Sequence, residues 1–331
     1  MYRLLNILRL IRLSPKIVFY AYAYYRPASL SSKLIEKLQD CLGVQGLSLS
    51  RDDLKRISYY IVLNRIMISS FAILRGERLS TREKYLGSLM GAFTPVYDDL
   101  MDDDFFTHEE TRAFMQGDIS DANSSKQWLI AFLYDEISSI HPSMDLFDRY
   151  FDQAGIAQDR SINEQKDRTT SLKATRDITY QKGGNFCLLF RSGLFHDWLE
   201  GEESAVYLLG GMTQYVDDIF DLQKDVTDST YTIPAKILSV DGIRADYERS
   251  ISSCYNAFLE TAYKKSDIEK FWSIQYLTLS RGFVAMDHFS NSPVIESIDI
   301  ISSLDRQMFV VDMEKIQNVW KNIMYLINFK N

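Results

Sequence analysis

Apolar residues recur every three or four positions along almost the whole chain, and no long stretch alternates apolar with polar. A period near 3.6 buries one stripe of a helix, whereas a half-buried strand needs a period of two, so the pattern predicts an all-α fold. Only six Pro and fifteen Gly occur in 331 residues, and no Pro/Gly/Ser-rich tract or fixed repeat marks a seam. The expectation is therefore one domain over 1–331, an antiparallel bundle of about ten helices. Capping boxes at Ser80–Glu83 and Ser161–Glu164 predict the starts of two helices, one leading to Asp98 and one to Lys182. Further helices are expected near 51–75, 124–140, 145–155, 185–199, 204–225, 241–265, 267–289 and 294–328, with breaks at His141-Pro142, Gly201 and Asn291-Ser292-Pro293. Pro95 predicts a kink, the alternative being that the helix stops at Thr94.

Charge and cysteine usage narrow the partners. A net charge of −8 and the lack of an Arg-rich face argue against nucleic acid. Cys41, Cys187 and Cys254 are widely spaced and odd in number, as expected of core filling in a reducing, cytoplasmic setting. Residues 1–30 form a basic amphipathic segment with Arg3, Arg9, Arg12 and Lys16 among leucines and isoleucines, lacking the features of a signal peptide. It suits a helix packed on its own domain or on a second subunit, or peripheral contact with a membrane surface. The apolar run Ile57 to Leu74 is interrupted by Asn64 and Arg65, which favours a buried helix over a membrane span.

Two acidic clusters stand out. Asp98-Asp99-Leu100-Met101-Asp102 continues into Asp103 and Asp104, and Asp217-Asp218-Ile219-Phe220-Asp221 is followed by Asp225. At about 100° per residue, Asp98 and Asp102 share one helix face, while Asp217, Asp221 and Asp225 form a stripe two turns long. Like charges so placed repel by a few tenths of a kcal/mol per pair, so an external cation is the economical explanation. Hard oxygen donors without nearby His or Cys point to Mg2+, which takes one or two protein carboxylates per ion and fills its octahedron with water and phosphate oxygens. Should both clusters face one cavity, they would hold several magnesium ions and a diphosphate leaving group, whose departure yields an allylic carbocation. His108, His141, His196 and His288 are scattered, and no Walker loop or Gly-x-Ser-x-Gly elbow is present.

These residues resemble the trans-prenyltransferase branch of the class I isoprenoid synthases, whose signature is two Asp-Asp-x-x-Asp motifs on facing helices. The second motif is the closer match: Gly211, Gln214, Asp217, Asp218, Asp221 and then Thr232-Ile233-Pro234 fall where that family places them. Tyr180-Gln181-Lys182-Gly183-Gly184 is similar to the family's Lys-Thr-Gly, with Gly183 in place of threonine. The likeness covers roughly residues 80–240. It implies an isoprenoid-synthase bundle around a central active-site cavity, a prenyl diphosphate substrate and a homodimer. Catalysis would rest on Asp98, Asp99, Asp102, Asp217, Asp218 and Asp221 as magnesium ligands, with Asp225 as a further metal ligand. Lys182, Arg176 and Gln214 would bind diphosphate, with Arg191 and Lys224 as weaker candidates. An ordinary solvated face remains the alternative for Lys182 and Arg176, since Lys166, Arg168 and Lys173 share the segment.

The departures shape the expected chemistry. Chain-elongating members carry an early Gly-Gly-Lys-Arg and an Arg pair after the first motif to hold isopentenyl diphosphate; here the upstream segment reads Arg51-Asp52-Asp53-Leu54-Lys55-Arg56, and Phe105-Phe106 follow the cluster. Losing the acceptor site while keeping the ionising site resembles a terpene synthase, although the cyclases' Asn/Ser/Glu second motif is absent. The rivals are a chain-elongating prenyltransferase that draws basic residues from Arg51 to Arg65, and a non-catalytic helical partner of such an enzyme. Phe93, Phe186, Phe190, Met212 and Tyr215 are candidates to line an apolar, cation-tolerant cavity, Phe93 as its floor, with ordinary core packing as the alternative.

Overall fold

A computed structural model of the chain describes residues 2–102, 106–117, 119, 122–290 and 297–330, the side chain of Asp102 excepted. Asp103, Asp104, Phe105 and the expected break at Asn291-Ser292-Pro293 lie outside the described residues. All regular structure among the described residues is helical, so the all-α expectation holds, with sixteen α-helices instead of about ten. The chain divides into two compact units. The N-terminal unit comprises Ser14–Asp152 and Leu189–Asp197; the C-terminal unit comprises Met1–Leu13, Gln153–Leu188 and Trp198–Asn331. Helix α1 (Tyr2–Tyr25) begins in the latter.

In the N-terminal unit, α2 (Ala28–Val44) packs on α3 (Arg51–Leu74), α3 lies along α4 (Thr81–Asp102), and α5 (His108–Gln116) and α6 (Ser125–Ser138) cover α4. Reciprocal capping fixes the start of α4 as predicted: Ser80 N donates to Glu83 Oε2 at 2.7 Å and Glu83 N to Ser80 Oγ at 3.2 Å. α3 is long and apolar enough to cross a membrane, yet 56% of its most apolar window is buried within the protein. The polar residues that interrupt it are ties to α4: Asn64 Nδ2 donates to Gly87 O at 2.6 Å and Arg65 to Ser88 Oγ at 3.2 Å. At Gly91 a Cβ would stand 2.7 Å from Ile61 Cα and 2.8 Å from Tyr60 O, so α3 and α4 touch backbone to backbone. This contact sits at the residue whose carbonyl Pro95 leaves without its helical donor. α4 accordingly runs through Pro95 to Asp102 and does not stop at Thr94.

His141 lies in the turn before α7 (Met144–Glu164). Its Nδ1 accepts from Ser143 N at 3.1 Å and its Nε2 lies 3.2 Å from Ser192 Oγ, whose own proton goes to Leu189 O. That network assigns the ring proton to Nε2. Burial of the imidazole lowers its pKa to about 4. The unfolded chain therefore binds the extra proton first, and stability falls as pH drops from about 6.5 towards 4. Comparing urea midpoints of wild type and His141→Asn at pH 7 and pH 4.5 should show roughly 2.5 kcal/mol of acid destabilisation present only in the wild type. Parallel losses in both proteins would rule His141 out as the cause.

In the C-terminal unit, α9 (Glu202–Phe220) is the central helix, contacted by α11 (Ile233–Ile237), α12 (Val240–Leu259), α13 (Lys265–Leu279) and α14 (Arg281–Phe289). α10 (Leu222–Thr227) meets α15 (Ile298–Ser303), and α16 (Ile316–Asn328) packs on α13 and α14. Junctions at Asp221 and Ser280 split helices expected to be continuous. Ser161 opens no helix: it lies inside α7, where Ser161 Oγ bonds Gln165 Oε1 and Glu164 pairs with Arg160 four residues earlier at 2.7 Å. The start of α8 (Leu172–Ser192) uses Ser171, whose Oγ accepts from Ala174 N at 3.2 Å. Nor does the helix leading to Lys182 end before the one expected over 185–199: α8 continues through Gly183-Gly184. The glycines are a crossing point: a Cβ on Gly183 would stand 2.3 Å from Gly210 O, one on Gly210 2.2 Å from Gly183 O, and one on Gly211 2.4 Å from the Tyr180 ring.

Candidate functional site

The glycine crossing sets α8 directly against the end of α9, and this builds the site of the C-terminal unit. Asp218 is buried; its Oδ2 accepts from Thr179 Oγ1 and its Oδ1 from Gln214 Nε2, both at 3.1 Å. Gln214 also reaches Asp217 Oδ2 at 3.4 Å. Although α9 ends at Phe220, the helical repeat is carried across the junction by Asp221 N to Asp217 O at 2.9 Å and Asp225 N to Asp221 O at 2.8 Å. Asp217, Asp218 and Asp221 therefore remain close enough to Asp225 to act on its charge. Thr232, the first residue of Thr-Ile-Pro, donates to Asp225 Oδ2 at 3.3 Å.

Electrostatics at this cluster are unfavourable without a counter-charge. Burial, reinforced by Asp217, lifts the Asp218 carboxyl to about 7 despite the two hydrogen bonds and the positive charge of Lys182. Asp225 is lifted to about 8 by burial and by Asp218, Asp221 and Asp217. Lys224 lies 3.9 Å from Asp221 Oδ2. Thr232 enters the sequence reading only as part of the Thr-Ile-Pro motif, without a role, and Thr179 does not enter it, although Thr179 precedes Lys182 by three positions and so shares its helix face. Arg176 is engaged elsewhere, in a two-pronged contact with Asp246 at 2.8 Å from each oxygen, and Tyr215 Oη donates to the same carboxylate at 3.1 Å. Asp246 had no signal beyond being one more acid on a long helix.

In the N-terminal unit, Asp98 and Asp99 lie on the last turns of α4 and face cations of their own unit. Arg56 of α3 pairs with Asp99 Oδ1 and reaches Asp98 Oδ2 at 3.9 Å, and Lys126 of α6 lies 3.4 Å from Asp99 Oδ2. The Asp102 side chain lies outside the described residues. Phe93 is fully buried, edge-on to Phe147 and Phe151 and stacked on Tyr97. Met212 and Tyr215 are likewise fully buried, the former accepting from Tyr180 Oη at 3.3 Å, while Phe186 and Phe190 are half-buried. Arg191 is buried in the N-terminal unit and donates to Asp197 O at 3.2 Å.

The donor set in both units is hard oxygen, and the raised carboxyls of Asp218 and Asp225 fit a divalent cation. Among the described residues no three of His, Cys, Asp and Glu gather around one point; magnesium itself asks for only one or two protein carboxylates per ion. No protein-family model and no curated protein matches this chain.

Proposed function

We propose that the protein is a class I isoprenoid synthase that ionises an allylic prenyl diphosphate with release of diphosphate, and that the cation is closed by its own double bonds or quenched by water as in a terpene synthase. One observation carries most of the weight: Asp217, Asp218, Asp221 and Asp225 lie close enough to act on one another's charge, and burial together with the neighbouring carboxylates raises the carboxyls of Asp218 and Asp225. Asp217, Asp218, Asp221 and Asp225 in the C-terminal unit, and Asp98, Asp99 and Asp102 of the first motif in the N-terminal unit, would each offer carboxylates to Mg2+. When bound, magnesium neutralises the charge that develops on the departing diphosphate oxygen. Gln214 and Thr179 fix the Asp218 carboxylate in place, and Lys182 adds positive charge that acts on Asp217 and Asp218. The homodimer, the central cavity and the cytoplasmic setting belong to the same proposal.

Chain elongation is favoured by a specific contact as the second reading. Arg56, inside the basic stretch that an acceptor site would draw on, stands beside Asp98 and Asp99 with Lys126 nearby, so these cations offer a second diphosphate the same charge that they offer the aspartates. Incubation with Mg2+ and prenyl diphosphates of ten to twenty carbons, with and without isopentenyl diphosphate, followed by mass spectrometry, separates the two. Hydrocarbon or alcohol formed without the acceptor is the expected result. Longer diphosphates formed only with it would assign elongation. If there is no turnover, and magnesium-dependent diphosphate binding is the same in wild type, Asp98→Asn and Asp218→Asn, the chain is a non-catalytic partner.

A further inference from the structure

The first helix presents a surface that the proposed chemistry does not use. Leu4 and Ile11 are each 62% exposed and Leu8 47%. At about 100° per residue these three fall within roughly 60° of one another around the α1 axis, so they make one apolar strip. Arg3 borders it on one side and Arg12 on the other by the same count. The opposite side of the helix is held to the C-terminal unit: Asn6 Nδ2 donates to Leu326 O at 3.2 Å and Phe329 O at 2.9 Å, and Arg9 pairs with Glu269 at 2.7 Å. The strip is thereby fixed outward.

Charge selects the occupant. Arg3, Arg9, Arg12, Lys16, Arg26 and Lys33 precede the first acidic residue, Glu36, in a chain whose net charge is −8. A two-fold contact through this face would set basic borders against basic borders, with no carboxylate on the helix to pair them. An exposed apolar strip bordered by guanidinium groups matches the boundary between acyl chains and acidic headgroups. We propose that α1 docks the protein on an anionic lipid bilayer, lying in the plane of the interface.

Vesicle flotation of the full chain tests this, using phosphatidylcholine alone and phosphatidylcholine with phosphatidylserine. The wild type should float with the anionic vesicles and far less with the neutral ones. Leu4→Asp with Leu8→Asp should abolish flotation, and Arg3→Glu with Arg12→Glu should reduce it at least about tenfold, both with unchanged melting temperature because the replaced side chains are exposed. Absence of flotation, equal uptake by neutral vesicles, or equal flotation of wild type and both variants would overturn the proposal. So would a wild-type dimer that ignores vesicles and becomes monomeric in the Leu4→Asp, Leu8→Asp variant. None of these outcomes depends on isoprenoid chemistry.

Discussion

Gly210→Ala is expected to destabilise the protein by roughly 3 kcal/mol or more, against the ordinary preference of a helix interior for alanine. Helix propensity alone would make the change favourable by up to about 1 kcal/mol. The crossing reverses the sign, since the new Cβ would stand 2.2 Å from Gly183 O and 2.5 Å from Cys187 Cβ. A backbone carbonyl inside a continuous helix cannot step aside, so α8 and α9 must separate, and the Thr179 to Asp218 hydrogen bond depends on their being together. Gly183→Ala meets the reciprocal obstacle at 2.3 Å and should behave alike. Gly43 in α2 is the internal control, since a methyl group added there would have nothing within 4 Å; Gly43→Ala should be neutral or stabilising by several tenths of a kcal/mol. Urea midpoints of the three variants decide the matter, and a Gly210→Ala protein as stable as Gly43→Ala would mean the helices do not cross at these glycines.

The same glycines show where sequence reasoning succeeds and where it stops. Periodicity recovered α3 almost to its ends, and the Ser80–Glu83 box was legible because both partners lie within one turn. Ser161–Glu164 has the same spelling, but Arg160 and Gln165, adjacent to it, claim those side chains, so the local pattern is silenced by local competition. Gly183-Gly184 reads as a helix break because glycine weakens a helix, while its contact lies on another helix beyond any local window. At the candidate site the aspartates, Gln214 and Lys182 were legible from spacing and resemblance. Asp246 was not, because its partner Arg176 is far away in sequence and nothing near Asp246 distinguishes it from a solvated acid.

Asp218→Asn should make the metal-free protein more stable while removing its proposed activity. With the Asp218 carboxyl raised to about 7 by burial and by Asp217, the folded state binds a proton more tightly than the unfolded chain does, so stability falls as pH rises from about 4 through 7. Above that window the ionised, buried carboxylate costs the fold about 4 kcal/mol. Asparagine keeps the shape, and its amide can still meet Thr179 Oγ1 and Gln214, so the variant should gain most of that energy at pH 8 in chelator and little at pH 4. Cations that offset the charge should act on the wild type alone: Mg2+ with inorganic diphosphate should raise the wild-type melting temperature at pH 8 and leave the variant nearly unmoved. Turnover of a prenyl diphosphate should fall at least about a hundredfold in the variant. A variant that melts below wild type at pH 8 without metal would show that the carboxylate is not strained by its burial. Equal stabilisation of both proteins by magnesium and diphosphate would remove Asp218 from the metal site.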